Sequence, residues 1–151
     1  MRILRSSLRQ RHSGPILCIA GGSGLAPVKS IVETALDHGM KQPIHVYFGV
    51  PAVRDLYLVE HFLALAGRHP NLTFAPALPE AKSAQYRSGF VTQAVAEDLS
   101  DLDGWKAYVA GPPPMVDAAM EVAFARGLRS EDMHVDVFFT PEDLPPPLTV
   151  D

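Results

Sequence analysis

The segment ILCIAGGSGLAP, at positions 16–27, constrains the fold more than any other part of the chain. Its short apolar run, ended by glycines, is typical of a buried β-strand. Gly21, Gly22 and Gly24 allow backbone conformations closed to other residues, and they let a ligand approach the main chain. Pro27 suits the first position of a helix. The segment therefore predicts a strand that turns into a helix, whose N-terminus would hold an anion such as a dinucleotide pyrophosphate.

Short apolar runs alternate with segments of helical periodicity along the rest of the chain, which is typical of a parallel sheet covered by helices. The expected strands are 16–20, 44–48, 72–77, 107–110 and 134–138. The expected helices are 27–38, about 54–67, about 90–99, and a fourth that ends at Gly127. The fold class is therefore predicted to be α/β, as a three-layer α/β/α domain with a five-stranded parallel sheet in the order 3-2-1-4-5.

The buried faces of two helices follow from their apolar spacing. In the second helix the predicted inward residues are Leu56, Val59, Leu63 and Ala66. In the fourth they are Val116, Ala119, Met120, Ala123 and Phe124. The polar segment 79–89 is predicted to be a long loop, and 140–151 a proline-rich tail.

Composition excludes several classes of function. The chain has 151 residues and a formal net charge of −4, which fits one domain and argues against a nucleic-acid partner. It has no apolar run of the roughly 20 residues that cross a bilayer, so we expect no membrane partner and a cytoplasmic location. The single cysteine, Cys18, is expected in the core. Among the histidines, only His134 has a metal-ligand spacing, with Asp136 on the same strand face, but a solvated or core-edge histidine is the favoured interpretation and no metal site is predicted.

A second turn, AGPPPM at positions 110–115, also ends a strand with glycine and enters a helix through prolines. In a doubly wound sheet, ligands bind beyond the carboxyl ends of the strands where the strand order reverses. The turns 21–27 and 111–115 are therefore expected to line one crevice. The usual dinucleotide fingerprint is altered, because Pro27 replaces its third glycine and no acidic residue follows the second strand at Gly49. This disfavours a standard dehydrogenase domain and a methyltransferase that uses S-adenosylmethionine, although the latter stays an alternative.

Three motifs together resemble the pyridine-nucleotide half of ferredoxin–NADP reductase-like flavoproteins: AGGSGLAP at 20–27, YFGV at 47–50 followed by RDL at 54–56, and AGPPPM at 110–115. The resemblance covers about 14–139 and is greatest to reductase components of bacterial aromatic-ring dioxygenases, of the naphthalene dioxygenase type. It implies a domain that binds NADH and presents it to FAD. Electrons would then leave through a [2Fe-2S] centre in a ferredoxin-like domain, toward a ferredoxin or the oxygenase component.

The resemblance also implies a domain organisation and the roles of individual residues. Segment 1–13 would be a linker or the end of a preceding flavin domain, 14–139 the NAD(P)H-binding domain, and the chain a piece of a longer reductase. The implied cofactor-binding residues are Gly21, Gly22, Ser23, Gly24, Leu25 and Pro27 at the pyrophosphate; Gly49, Arg54 and Asp55 as further nucleotide contacts; Gly111, Pro112, Pro113 and Met115 beside the nicotinamide ribose and the adenine side; and Phe138 and Phe139 near the flavin.

Two departures from the family pattern refine this expectation. Many relatives have arginine where this chain has Pro51, and without that cation NADH is preferred over NADPH, whose 2′-phosphate needs a basic partner. Many also have cysteine where this chain has Ala110. We therefore assign no catalytic acid or base, since the flavin and nicotinamide carry the chemistry. The isolated domain is expected to bind nucleotide weakly and to have no activity of its own. A free-standing regulatory module that binds nucleotide without electron transfer is the main alternative.

Overall fold

A computed structural model describes residues 14–21, 25–49, 56–78, 87–88 and 90–137, and the side chains at 56–58, 78 and 87–88 lie outside that description. The strands are β1 (Ile16–Gly21), β2 (Ile44–Gly49), β3 (Leu72–Leu78), β4 (Arg87–Ser88), β5 (Lys106–Gly111) and β6 (Met133–Val137). The helices are α1 (Leu25–Asp37), α2 (Leu56–Arg68), α3 (Val91–Asp98) and α4 (Pro113–Ala125), with a 3₁₀ turn at Ser130–Asp132.

The strands form one parallel sheet in the order β4-β3-β2-β1-β5-β6. The five predicted strands stand in the predicted order 3-2-1-4-5, so the fold class is confirmed. The two-residue β4 extends the sheet beyond β3, within the segment that was predicted to be loop. Two residues carry no apolar alternation, which is why the sequence pattern does not reveal this strand.

Helices cover both faces of the sheet. Alternate residues of β1, such as Cys18, pack with α1 and α2 into one cluster of buried side chains. The intervening residues, such as Ile19, pack with α3 and α4 into a second cluster. Because both faces are covered, β1 and β5 are buried at every position. Cys18 is fully buried, as predicted.

The predicted inward face of α2 is partly wrong. Val59 is buried as expected, but Leu63 is 43% exposed, and Phe62 and Leu65 are buried instead. Apolar residues nearly surround this helix, so the spacing alone does not select the face that packs on the sheet. In α4 Phe124 lies at the margin of the buried stripe, with 38% of its surface exposed.

The start of α1 also differs from the prediction. The helix begins at Leu25, so Pro27 occupies its third position rather than its first. A proline is tolerated there because the N–H groups of the first turn have no partner inside the helix. Among the described residues, no helix has the length and apolar character needed to cross a membrane.

Candidate functional site

The carboxyl ends of β1 and β5 lie side by side, at the point where the strand order reverses. Ala20 and Ala110 are paired in register, and each is followed by the glycine that ends its strand. A Cβ atom built on Gly111 would lie 3.4 Å from the backbone nitrogen of Gly21. The strand ends that open the two turns therefore meet at one place, where ligands bind in doubly wound sheets.

The thioether of Met115 lies across these two strand ends. Its Sδ atom is 2.6 Å from the position of a Cβ on Gly21 and 3.0 Å from that of a Cβ on Gly111. Side chains at either position would overlap this sulfur, so glycine leaves the space that Met115 fills. Met115 thus packs over the ends of β1 and β5, and Gly21 and Gly111 are buried beneath its side chain.

The first turn of α1 supplies hydrogen-bond donors at this edge. Leu25 and Pro27 are buried, whereas Ala26 is exposed. Leu25 and Ala26 carry first-turn N–H groups that have no acceptor within the helix, while Pro27 carries none. Together with the positive end of the helix dipole, these groups suit an anionic ligand.

The opening of α4 has a different character. Pro112 is its N-cap residue, and Pro113 and Pro114 are its first two residues, so three of its four first-turn positions have no N–H group. Only Met115 brings a free donor, because the N–H of Val116 already donates to the carbonyl of Pro112 at 3.1 Å. This side of the crevice is therefore a stiff, mainly apolar wall, and an anion is held better by α1.

Gly49 ends β2 at the same edge and packs against the start of α3. A Cβ built on it would be 3.5 Å from Cβ and Cγ1 of Val91. Val91 is 5% exposed and contacts this region of the site. No role for Val91 was predicted from the sequence. Its only sequence signal is its place in the first turn of the helix predicted at about 90–99.

Three titratable groups inside the sheet, away from the carboxyl ends of the strands, are held in their neutral forms. Burial raises the pKa of the Cys18 thiol to about 12, and burial together with the neighbouring Cys18 raises the pKa of Tyr108 above its ordinary value. Burial and the charge of Lys106 lower the pKa of His134, which outweighs the opposing effect of Asp132. The rings of Tyr108 and His134 stack with their centroids 5.3 Å apart. These residues fill space and do not supply a nucleophile or a charged group.

The structure brings together a specific part of the predicted site. Gly21, Leu25 and Pro27 border one side of the crevice, and Gly111, Pro112, Pro113 and Met115 border the other, with Gly49 at the end of the next strand. The remaining predicted site residues lie outside the described residues: Gly22, Ser23, Gly24, Arg54, Asp55, Phe138 and Phe139. The same is true of segments 1–13 and 140–151. Within the part of the chain that is described, no group of three or more potential metal ligands occurs.

Comparison with known proteins shows which family this chain is similar to. The reductase component of naphthalene 1,2-dioxygenase/salicylate 5-hydroxylase systems from Ralstonia sp., a ferredoxin–NAD(P)(+) reductase, is 44% identical over 87% of this chain and 40% of its own length. A cytochrome P450 reductase from Amycolatopsis superposes with a TM-score of 0.80 and 34% identity, over 88% of this chain and 40% of that one.

A ferredoxin reductase of carbazole 1,9a-dioxygenase, solved in its FAD apo form, superposes with a TM-score of 0.66 and 27% identity, over 87% of this chain and 37% of that one. This chain spans about 40% of the length of the Ralstonia reductase component. Residues 18–121 match the model of the oxidoreductase NAD-binding domain, a range that contains both glycine turns and Met115. The chain therefore belongs to the family of oxidoreductase NAD-binding domains.

Proposed function

We propose that this chain binds NADH and presents its nicotinamide ring to a flavin held by another part of a longer reductase. The observation that supports this most is the meeting of Gly21, Gly111 and Met115 at the reversal of strand order, within the residues that match the NAD-binding family. Two strands that end in glycine at the reversal of strand order, next to the N–H groups of α1, fit an anionic dinucleotide.

The residues of the chain would bind and orient the dinucleotide. The pyrophosphate would lie over the first turn of α1, contacted by Gly22, Ser23 and Gly24. The wall made by Pro112 and Pro113 would limit the positions open to the nicotinamide ribose. Such orientation is the main contribution a protein makes when the cofactors carry the reaction. Because Ala110 stands where many relatives have cysteine, no side chain is proposed as an acid or base.

The rest of the reductase is proposed from its relatives. The Ralstonia relative is a ferredoxin–NAD(P)(+) reductase component of a dioxygenase system, and FAD is named for the carbazole dioxygenase reductase. We infer that FAD and a [2Fe-2S] centre occupy domains of the same longer protein. FAD would supply the two-electron acceptor for the hydride of NADH, and the [2Fe-2S] centre would supply a one-electron carrier toward a ferredoxin or an aromatic-ring oxygenase. Phe138 and Phe139 are proposed to face the flavin, and a cytoplasmic location stays a prediction.

The preference for NADH is also a proposal. NADPH differs from NADH by a phosphate on the adenosine ribose, and binding of that phosphate is favoured by a nearby arginine or lysine. Pro51 stands where many relatives have arginine. Arg54 and Asp55 are the nearest charged residues in the sequence, and they offset one another in charge. NADH is therefore the expected partner, with NADPH bound less tightly.

Calorimetric titration of the purified chain with NADH, NADPH and S-adenosylmethionine tests this function. We expect NADH to bind, and we expect Gly24→Asp to lower its affinity about ten-fold or more, since a carboxylate beside a pyrophosphate is repelled. Gly67→Asp is the matched control. It makes the same change in charge near the C-terminus of α2, at the opposite edge of the sheet, with no atom within 4 Å of the added Cβ.

Three results would contradict the proposal in whole or in part. Binding of S-adenosylmethionine instead of NADH would point to a methyltransferase-like site. Equal losses of NADH affinity in Gly24→Asp and Gly67→Asp would show that the crevice beside α1 does not hold the pyrophosphate. Steady NADH-dependent reduction of an acceptor by this chain alone would contradict the part of the proposal that assigns the flavin to another domain.

A further inference from the structure

The sulfur-containing side chains of this protein differ in their access to oxidants. The single cysteine, Cys18, is fully buried, and burial raises the pKa of its thiol to about 12. Oxidants attack the thiolate form of cysteine, so Cys18 is inert at neutral pH. A thioether has no proton to lose, and its reactivity follows its exposure. The methionines of the described residues are all partly exposed: Met40, Met115, Met120 and Met133.

Of these four methionines, Met115 is the one whose thioether lies over the strand ends at the proposed crevice. Its Sδ atom is 2.6 Å from the position of a Cβ on Gly21 and 3.0 Å from that of a Cβ on Gly111, and its Cε atom overlaps the latter position. No further atom can be added between the sulfur and the two glycines. Met120 and Met133 instead pack against the cluster of α3 and α4.

We propose that Met115 is a site of reversible oxidation whose sulfoxide form weakens binding of the dinucleotide, an inference that rests on the proposed binding of NADH. A lone pair of the sulfur attacks one oxygen of hydrogen peroxide, so an S–O bond forms and the O–O bond breaks. The sulfur gives up two electrons to the peroxide, and the second oxygen leaves as water with both protons. Methionine sulfoxide reductases return the sulfoxide to the thioether.

The contacts of the sulfur determine where the new oxygen would lie. Because Gly21 and Gly111 close the sheet side of Met115, the oxygen would project away from them, into the crevice in which the dinucleotide is proposed to lie. A sulfoxide oxygen is polar and carries partial negative charge, whereas a thioether is apolar and adaptable. The oxygen would therefore take space from the ligand and repel its anionic groups.

Limited treatment of the purified chain with hydrogen peroxide tests this inference. Mass spectrometry of its peptides locates the added oxygen, and circular dichroism checks that the helices persist after the peroxide is removed. Calorimetric titration then measures NADH affinity before oxidation, after it, and after treatment with methionine sulfoxide reductases A and B, one for each epimer. We expect oxidation at Met115 to weaken NADH binding about ten-fold, as one unfavourable polar contact would, and reduction to restore it.

Met115→Leu and Met120→Leu are a matched pair of variants on α4. Leucine is close to methionine in volume, but it has no sulfur to oxidise. Met120 is partly exposed like Met115, yet it lies farther along the helix, away from the strand ends. Whatever the affinity of Met115→Leu for NADH, peroxide should lower it no further. In Met120→Leu, peroxide should weaken NADH binding about ten-fold, as in the unaltered chain.

Several results would overturn the inference. One is an equal loss of NADH affinity on peroxide treatment in Met115→Leu and in the unaltered chain. Others are full affinity in a chain that carries the oxygen on Met115, or peroxide that oxidises Met120 and Met133 and spares Met115. If Met115→Leu does not bind NADH, failure of the reductases to restore affinity in the unaltered chain would overturn it as well. Absence of NADH binding before oxidation would instead overturn the proposed function together with this inference.

Discussion

Two buried tyrosines of the sheet differ at the level of single atoms. The hydroxyl of Tyr47 donates to Oδ2 of Asp98 at 2.9 Å. The hydroxyl of Tyr108 is buried and has no hydrogen-bond partner among the described residues. Both rings are at most 2% exposed, so they lose similar contact with water on folding. A buried polar group without a partner costs free energy, while one with a partner stabilises the fold slightly.

We therefore expect Tyr108→Phe and Tyr47→Phe to shift the free energy of unfolding in opposite directions. Tyr108→Phe should raise it by about 1 kcal/mol, because it removes a hydroxyl group that loses its hydrogen bonds to water on folding and gains no partner in the protein. Tyr47→Phe should lower it by about 1 kcal/mol, because the bond to Asp98 is lost. Urea denaturation of both variants measures the difference. An equal loss of stability in the two variants would show that the hydroxyl of Tyr108 is bonded after all.

Gly111 and Met115 form a steric pair whose coupling can be measured. Gly111→Ala places a methyl group on the thioether and should lower the free energy of unfolding by about 1–3 kcal/mol. Met115→Ala removes the obstacle, so the double variant should be less destabilised than the sum of the single ones. Gly67→Ala is the matched control, since nothing lies within 4 Å of its added methyl group. Strict additivity of the two changes in urea denaturation would refute the overlap.

At the scale of the helices, Arg126 ties the end of α3 to the end of α4. Its guanidinium donates to the carbonyls of Leu99 at 2.8 Å and Ala96 at 3.1 Å, and more weakly to that of Val122 at 3.5 Å. The last carbonyls of a helix have no partner within it, so a side chain that reaches them stabilises its end. One residue thus satisfies carbonyls from two neighbouring helices.

Arg126→Ala is expected to lower the free energy of unfolding by about 3 kcal/mol, because it removes charge-assisted bonds to partly buried carbonyls. Arg126→Lys should recover only part of this, since an ammonium group lacks the planar fork of the guanidinium. Arg129→Ala is the control. Arg129 is 61% exposed and pairs with Glu131 and Asp132, so its loss should cost less than about 1 kcal/mol. A cost for Arg126→Ala no larger than for Arg129→Ala would contradict the bridging role.

The helices also show where sequence patterns stop being informative. Strand positions follow from short apolar runs between glycines and prolines, and all five predicted strands are present. The face of α2 was predicted less well, because Phe62, Leu63 and Leu65 are all apolar and only packing on β2 and β3 decides among them. The role of Arg126 leaves no trace in the sequence, since its partners are backbone carbonyls that any residue would offer.

Over the whole molecule, one sheet supplies the inner wall of both buried clusters. Successive residues of β1 point into opposite clusters, so neither cluster can separate without breaking the strand that both share. Trp105, the single tryptophan, packs against the cluster of α3 and α4, with its ring centroid 5.2 Å from that of His45. Its fluorescence therefore reports on one face, while circular dichroism reports on helices of both.

We expect the urea transitions followed by Trp105 fluorescence and by far-ultraviolet circular dichroism to coincide, as they do in a two-state domain. Phe62→Ala, on the opposite face, should move both transitions to lower urea by the same amount, because the loss of a buried ring costs about 3–5 kcal/mol of the shared stability. A fluorescence midpoint that stays in place in Phe62→Ala would show that the two faces unfold separately.

The arrangement of the whole sheet explains how much of the crevice could be predicted from the sequence. Its two glycine turns follow from local sequence, and their meeting follows from the rule that parallel strands end at one edge. The position of Met115 across Gly21 could not be predicted, because it depends on a side-chain conformation between segments that are far apart in the chain.

The run of prolines at the start of α4 has a consequence for the entropy of ligand binding. Each pyrrolidine ring holds its φ angle near the helical value before any ligand arrives. A ligand that meets this wall has little backbone motion to arrest there, so it avoids much of the entropy that a glycine-rich or serine-rich loop would lose on becoming ordered. With NADH bound as proposed, Pro112, Pro113 and Pro114 would keep one side of the crevice ready for the ligand, and selection between ligands would fall to the side built from glycine.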